Sequence, residues 1–233
     1  MRIWCVCRRS LEDRLWALGF WLSAALRYRA LYTFLVASNK EIEIKFRVDD
    51  VRALTRRLRA TKFRLATPPT HEMNTLYDLP GLTLRKRGEL LRLRKYGKTW
   101  VLTHKAKAAV GRHKSRVETE TAVADGAKMD GILHALGFRP KFRYEKFRAE
   151  WSGSKGQVVV DETPIGNFGE IEGPSRWIDR TAKVLGISPE HYITDTYAGL
   201  FFAWKRRTRS RAKEMTFRGV KGGPDSRPGR VSN

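Results

Sequence analysis

The chain has 233 residues, of which 47 are Lys or Arg and 24 are Asp or Glu, so its formal net charge is +23. An apolar fraction of 41% with seven Trp, seven Tyr and eleven Phe is enough to build a core, which excludes a wholly disordered protein. No apolar run reaches the length of about 18 residues that a membrane-spanning helix needs. The charge predicts an anionic partner: nucleic acid, an acidic membrane surface or a small polyphosphate. The two cysteines, Cys5 and Cys7, are too few for a disulfide framework, which favours a reducing, cytoplasmic location.

Residues 1–40 differ in composition from the chain that follows. They hold seven basic and two acidic residues around an apolar stretch from Trp16 to Leu26. Glu12 and Asp13 precede that stretch and arginines follow it directly, which is not the order found in a secretory signal peptide. We therefore predict an N-terminal extension with two open interpretations. One is a helix that packs on the domain or has no role, and the other is a basic amphipathic helix lying on a membrane surface.

Between residues 41 and 204, apolar and polar residues alternate in several short segments that predict strands. The first is Glu41–Phe46, after which Asp49 or Asp50 can cap a helix with Leu54 and Leu58 on one face. Many strands with few helices indicate an antiparallel α+β domain. The further strands are predicted at 91–94, 100–105, 116–120, 142–147, 158–161 and 170–172, and the further helices at 125–136, 175–185 and 194–204.

The polar faces of these strands carry almost only charged side chains, sorted by strand. Because side chains alternate along a strand, each set shares one face. A single set of this kind is typical of a strand face exposed to solvent. Several acidic and basic sets in one short domain instead favour a barrel closed with its charged face inward. An inward ring of cations is unstable alone, because buried like charges repel and lose hydration, so this arrangement makes sense if the cavity is wet and holds a highly charged anion. The sets are Glu41, Glu43 and Lys45; Arg92 and Arg94; Arg116, Glu118 and Glu120; Lys141 and Arg143; Glu170 and Glu172.

The chain from Lys205 to Asn233 carries ten basic and two acidic residues, with Gly and Pro clustered towards its end. This composition predicts a disordered basic tail, either simply solvated or making weak contacts with nucleic acid or anionic lipid.

The string Glu41-Ile42-Glu43-Ile44-Lys45 resembles the ExExK signature of the CYTH family, the triphosphate tunnel enzymes. That family includes class IV adenylate cyclases, thiamine triphosphatases and inorganic triphosphatases. The resemblance covers about residues 41–204 and implies a closed eight-stranded antiparallel β-barrel, a tunnel with covering helices. This fold agrees with the inward-facing charges predicted above. The supporting motifs follow in the family's order: Asn74–Asp78, Leu91–Arg94, Leu102–Lys105, Arg116–Glu118, Lys141–Arg143, Val160–Asp161 and Gly169–Gly173.

The resemblance and the charge chemistry together predict the site residues. A triphosphate carries about four negative charges, so several cations must bind it, and Arg forks suit paired phosphate oxygens. Carboxylates beside a polyanion repel it unless a hard divalent ion lies between them. Glu118 and Glu120 either orient the arginines or belong to a second metal site. The predicted substrate-binding residues are Lys45, which is also catalytic, Arg92, Arg94, Lys105, Arg116, Lys141 and Arg143; the predicted ligands of Mg²⁺ or Mn²⁺ are Glu41, Glu43, Asp161, Glu170 and Glu172.

Two reactions suit this set of residues. In hydrolysis, water attacks the terminal phosphorus of tripolyphosphate, thiamine triphosphate or a nucleoside triphosphate. In cyclisation, the 3′-hydroxyl of ATP attacks the α-phosphorus and releases pyrophosphate. The motifs do not decide between them, and we favour hydrolysis because it needs only a bound triphosphate and a positioned water. A non-catalytic module that binds polyphosphate or RNA is a third interpretation, but such a module has no use for metal-binding carboxylates.

Overall fold

The structure, a computed structural model, describes residues 38–220. The predicted N-terminal extension up to residue 37 and residues 221–233 of the predicted tail lie outside the described residues. Within the described range, none of the helices combines the length and the apolar character that crossing a membrane requires.

Nine strands, five α-helices and one short 3₁₀ turn at Pro189–His191 make up the described chain. The strands are β1 (Ser38–Val48), β2 (Arg64–Asp78), β3 (Leu90–Tyr96), β4 (Thr99–Lys105), β5 (Ala109–Val110), β6 (Lys114–Val123), β7 (Arg139–Ser152), β8 (Gln157–Thr163) and β9 (Gly166–Glu172). The helices are α1 (Val51–Ala60), α2 (Thr83–Arg87), α3 (Gly126–Ala135), α4 (Ser175–Val184) and α5 (Tyr197–Thr208).

Eight of these strands close into a barrel. Their hydrogen-bonded order is β1-β9-β8-β7-β2-β3-β4-β6, and β6 pairs back onto β1, with every pairing antiparallel. The two-residue β5 pairs only with β6, within the part of the chain that the structure describes. The predicted closed eight-stranded antiparallel barrel is therefore confirmed.

The apolar faces of the strands point outward and are covered by helices. Ile44 and Phe46 of β1 are buried in one core with Leu58 of α1 and Ile178 of α4. Helix α1 begins where the sequence predicted, since the Asp50 carboxylate accepts a hydrogen bond from the Ala53 amide at 2.9 Å. Because successive side chains of a strand point to opposite faces, the charged side chains lie inside the barrel where the apolar ones point outward.

The chain after Lys205 differs from its prediction as a disordered tail. Helix α5 continues to Thr208, and Met215 is fully buried against the aromatic side of that helix. The Met215 amide also donates to the Arg143 carbonyl at 3.0 Å, and the Glu145 amide donates to the Met215 carbonyl at 2.9 Å. Residues 205–220 are therefore part of the ordered domain. Met215 and Val220 bury apolar surface in its core, and this burial stabilises the otherwise basic segment.

Gly169 in β9 marks a close approach between two strands. A Cβ atom at this position would overlap the ring of Phe46, which lies opposite it on β1. We expect Gly169→Ala to lower the free energy of unfolding by about 1–3 kcal/mol, because the core would have to shift. Gly131→Ala in α3 is the control, since no atom lies within 4 Å of its added Cβ, and Ala there favours the helix. Urea unfolding curves compare the variants, and a Gly169→Ala protein as stable as Gly131→Ala would contradict the packing argument.

Candidate active site

The barrel encloses a cavity of about 550 Å³ that reaches from β1 and β9 to the first turn of α5. Ten basic and nine acidic side chains line it, so its net charge is close to zero. The basic side chains are Lys45, Arg85, Arg92, Arg94, Lys105, Lys114, Arg116, Lys141, Lys146 and Arg148. The acidic ones are Glu41, Glu43, Asp78, Glu89, Glu118, Glu120, Glu150, Glu170 and Glu172.

Three of the predicted metal ligands, Glu41, Glu43 and Glu172, come together in this cavity. One carboxylate oxygen from each lies within 4.8 Å of the others. The backbone sets this arrangement, because Glu43 on β1 pairs directly with Glu172 on β9 and Glu41 lies two residues along β1 on the same face. Three carboxylates are hard oxygen donors and fit Mg²⁺ or Mn²⁺, so these residues could hold a metal.

The protonation of this acidic cluster is perturbed. Burial, together with the charges of Glu170 and Glu41, raises the pKa of Glu172 to about 7. Glu41 and Glu118 share a hydrogen bond, and burial with that bond raises the pKa of Glu118 to about 7. Burial alone would raise the pKa of Glu41, but the Glu118 hydrogen bond and the Lys105 charge outweigh it and lower that pKa to about 2. At neutral pH without a divalent ion, the cluster therefore retains protons that a metal would displace.

These pKa values predict that metal affinity rises with pH. Below pH 7 Glu172 is protonated, so a metal must first displace that proton, and affinity should fall by roughly tenfold per pH unit. We expect Glu172→Gln to bind Mn²⁺ more weakly and with a flatter pH dependence, some slope remaining from Glu118. Glu190→Gln, at an exposed position, is the control. Mn²⁺ titrations between pH 5.5 and 8 measure the slope, and a wild-type affinity independent of pH would refute the assignment of Glu172.

Lys45, the last residue of the signature string, is almost fully buried in the cavity wall. Its Nζ lies 2.5 Å from Glu170 Oε1 and 4.7 Å from the centre of the Tyr197 ring. Its main chain is fixed as well, since the Ile193 amide donates to the Lys45 carbonyl at 2.7 Å. Burial alone would lower the pKa of Lys45, but the charges of Glu170 and Glu43 outweigh it and raise that pKa above its ordinary value. Lys45 is thus a fixed positive charge.

The predicted cations on β3, β4 and β6 all face the cavity. Arg92 donates to Thr103 at 3.3 Å and to Glu120 at 3.2 Å, and Arg94 lies 3.7 Å from the same Glu120 carboxylate. Glu120 thus orients two guanidinium groups. Lys105 contacts Glu118 and lies 3.3 Å from Glu41, and Arg116 lies 3.3 Å from Glu118. The buried Nε atoms of Arg92 and Arg94 have no hydrogen-bond partner among the described residues, whereas the Nε of Arg116 faces Glu118. All three guanidinium groups line the cavity, where guanidinium donors suit an anion.

Two predicted metal ligands are instead held by cations. Asp161 is fully buried and accepts two hydrogen bonds from Arg148, at 2.8 and 2.7 Å, and one each from Lys146 and Tyr197. Glu170 accepts from Arg148 and Lys45, both at 2.5 Å. Burial alone would raise the pKa of Glu170, but these cations outweigh it and hold that pKa well below its ordinary value. In the structure both carboxylates therefore neutralise cations rather than join the cluster of Glu41, Glu43 and Glu172.

The prediction for β7 differs most from the structure. Lys141 is exposed and lines the mouth of the cavity, whereas Arg143 points outward, is exposed, and lies 4.0 Å from Glu214. The reason is a β-bulge: β2 pairs Leu76 with Phe142 but Tyr77 with Pro140, so Lys141 is an extra residue and the alternation changes phase. Beyond the bulge, the inward side chains include Tyr144, Lys146 and Arg148.

Sequence reasoning missed several residues of this interior, among them Lys114, Lys146, Arg148 and Glu72. Lys114 bonds Glu43 at 3.0 Å, and fully buried Glu72 lies 3.5 Å from Lys146. A usable signal existed for Arg148, which pairs directly with Asp161 across the short β7–β8 hairpin. Counting the register back from that hairpin would have brought these two opposite charges together.

A closed antiparallel barrel with its charged face turned inward is a tunnel architecture. The family model described as "CYTH domain" matches residues 39–192 of this chain. The chain therefore belongs to the CYTH domain family, whose members are adenylate cyclase-like and triphosphatase-like enzymes.

Known proteins resemble the chain over most of the same region. "Putative adenylate cyclase MJ0240" of Methanocaldococcus jannaschii is 26% identical over 146 residues, which are 62% of this chain and 83% of that protein. The structure of a "putative adenylate cyclase" from Vibrio parahaemolyticus is 18% identical, with a TM-score of 0.62, and the match covers 71% of this chain and 99% of that one. HpAC1 from Hippeastrum, a "putative adenylyl cyclase" with a dominant triphosphatase activity, is 20% identical with a TM-score of 0.53 over 70% of this chain and 95% of that one. At these identities, the likeness to the two solved structures shows the fold alone.

Proposed function

We propose that the protein is a divalent-metal-dependent phosphohydrolase that acts on a triphosphate-bearing substrate. One observation carries the proposal: a single cavity is lined both by a cluster of three carboxylates and by the guanidinium groups of Arg92, Arg94 and Arg116. Cations alone would suit any polyanion. The acidic cluster would repel a phosphate chain unless a divalent ion lay between them, so the combination favours a metal-bound polyphosphate.

The chain's own residues have distinct parts in this reaction. Arg92, Arg94 and Arg116 bind phosphate oxygens through their planar guanidinium donors, and Lys45 and Lys105 add point charges. Glu41, Glu43 and Glu172 would hold a Mg²⁺ or Mn²⁺ ion, which would supply Lewis-acid stabilisation of the charge that develops on phosphate. Arg148 acts behind these groups, because its ion pairs keep Glu170 in place beside Lys45.

Hydrolysis adds water across the bond to the terminal phosphoryl group. The water oxygen attacks the terminal phosphorus, the bond from that phosphorus to the bridging oxygen breaks, and the remaining diphosphate leaves with the bridging oxygen. The water proton is released as orthophosphate forms. Fixed cations around the leaving oxygen lower the barrier because they are already oriented when its charge appears.

Adenylate cyclase is the second candidate, and it is supported by the name of the 26%-identical relative from Methanocaldococcus jannaschii. Cyclisation would use the same cations and metal ligands but would cleave the bond to the α-phosphorus. The organic part of such a substrate could contact apolar side chains, since Leu76, Leu82 and Phe202 are among the residues that line the cavity.

A product assay separates these candidates. Purified protein with Mg²⁺ or Mn²⁺ is incubated with tripolyphosphate, thiamine triphosphate or ATP, and the products are identified by chromatography. Orthophosphate with the corresponding diphosphate supports hydrolysis, whereas cyclic AMP with pyrophosphate supports cyclisation. Glu43→Ala is expected to abolish either reaction, with exposed Glu190→Ala as the control. If no substrate is turned over but tripolyphosphate binds equally well without metal, the protein is a non-catalytic polyphosphate-binding module.

A further inference from the structure

The excess positive charge of the domain lies mostly outside the cavity. Residues 38–220 contain 38 basic and 21 acidic residues. Ten basic and nine acidic side chains line the cavity, so the inside of the barrel accounts for almost none of the imbalance. The excess of positive charge is therefore carried by residues outside the cavity, and these residues have no part in the proposed reaction.

Helix α1 and the residues after it concentrate this outer charge. No acidic residue occurs between Val51 and His71. The helix buries Leu54 and Leu58 against the barrel and turns Arg52, Arg56 and Arg59 outward on one stripe, at spacings of four and three residues. The cationic face of α1 is defined by the exposed side chains of Arg52, Arg56, Arg57, Arg59, Lys62 and Arg64.

Two exposed apolar side chains flank the cationic face of α1. Leu65 follows Arg64 directly and is 44% exposed, and Val184 at the end of α4 is 58% exposed. Contacts of two α1 arginines indicate that Leu65 and Val184 both lie beside this helix. Arg57 donates to the carbonyl of Leu185, the neighbour of Val184, while Arg59 lies over the ring of Trp151, which pairs with Leu65 across β2 and β7. Basic groups flanked by exposed apolar side chains are typical of a surface that meets a lipid headgroup region.

We propose that the cationic face of α1, with Leu65 and Val184, binds an anionic membrane surface. The arginines contact lipid phosphates and the two apolar side chains enter the boundary below the headgroups. A nucleic acid would satisfy the arginines through its phosphates, but Leu65 and Val184 are aliphatic and offer no aromatic ring on which a base could stack, so the flanking residues favour lipid. This proposal is independent of the reaction in the barrel.

Vesicle flotation with the full chain tests the proposal, using phosphatidylcholine vesicles with and without 30% phosphatidylserine. We expect binding only to the anionic vesicles, weakening as salt rises. The triple variant Arg52→Glu, Arg56→Glu, Arg59→Glu should bind them at least roughly tenfold more weakly, since each basic residue near the surface adds to the attraction. The control reverses the same number of charges elsewhere, at the exposed Arg206, Arg207 and Arg209. Its effect should be less than about threefold, because those residues lie outside the proposed contact. Circular dichroism verifies that both triple variants fold.

A charge-neutral variant separates lipid from nucleic acid. Leu65→Ser with Val184→Ser leaves every charge in place, and it should weaken vesicle binding severalfold while leaving the affinity for single-stranded RNA unchanged. Equal losses in the two triple variants would overturn the proposal in favour of non-specific attraction by net charge. Binding to RNA but not to anionic vesicles would overturn it in favour of a nucleic-acid surface.

Discussion

Arg148→Met is expected to lower the free energy of unfolding by about 3–5 kcal/mol, the usual cost of removing one partner from a buried ion pair. Arg148 donates to Asp161 and Glu170 and lies 3.8 Å from Glu72, and all three carboxylates are buried. Burial alone would lower the pKa of Arg148, but these charges outweigh it and raise that pKa well above its ordinary value. A methionine would leave these buried acids with less compensation for their charge.

Arg143→Met is the matched control, since it changes the same residue type on the same strand. Arg143 is exposed and points away from the cavity, so its loss should change stability by less than about 0.5 kcal/mol. Urea unfolding measures both variants. Equal destabilisation would contradict the inward and outward assignments of β7, and a loss of triphosphate turnover in Arg143→Met would restore its predicted role in substrate binding.

Lys45→Ala is expected to reduce kcat/KM for the triphosphate substrate by roughly 10²–10³, as the removal of one fixed donor of transition-state stabilisation does elsewhere. Lys45 is held by Glu170, the Tyr197 ring and the Ile193 main chain, so its charge requires no reorganisation during the reaction. Because Arg148 still neutralises Glu170 in the variant, the barrel should remain folded. Steady-state kinetics and circular dichroism measure the two effects separately.

Lys40→Ala on the same strand controls for the loss of a lysine, since Lys40 is exposed and absent from the cavity lining. Its kcat/KM should match the wild type. A Lys45→Ala protein that is folded and fully active would refute the catalytic role of Lys45, whereas one that is unfolded would show that Lys45 mainly supports the barrel. Lys45→Arg then distinguishes a requirement for charge from one for the shape of the ammonium group.

The alternation of side chains along a strand was enough to predict many of the residues that line the cavity. Glu41, Glu43 and Lys45 were expected on one face of β1, and Arg92 with Arg94 on one face of β3, and all five line the cavity. Such predictions succeed where a strand is regular, because alternation then fixes which side chains share a face. They failed for Arg143, because the bulge at Lys141 changes the phase of β7. The neighbouring Pro140 was the local signal for such a bulge, since proline inside a central strand is found at bulges.

The metal ligands show a second limit of the sequence. Glu43, Asp161, Glu170 and Glu172 look equivalent as acidic residues on strands, yet Asp161 and Glu170 are neutralised by Arg148, whereas Glu172 lies near Glu41 and Glu43. Which acid meets which base depends on the register between strands that are far apart along the chain. Lys114 illustrates this dependence, since its partner Glu43 is 71 residues away.

The sequence by itself determined a basic chain, strands with sorted charges, and a closed barrel with those charges inside, because these features follow from composition and local alternation. It also predicted an anionic partner from the net charge and cations around a triphosphate from the strand pattern. The tertiary structure shows that the cavity lining is nearly neutral, since ten basic side chains face nine acidic ones, and that most of the excess charge lies outside the cavity. The physical reason is that buried charges must be compensated, whereas exposed charges remain hydrated and need no partner. The high net charge of this protein therefore reflects the residues on its outer surface more than the residues that line its cavity.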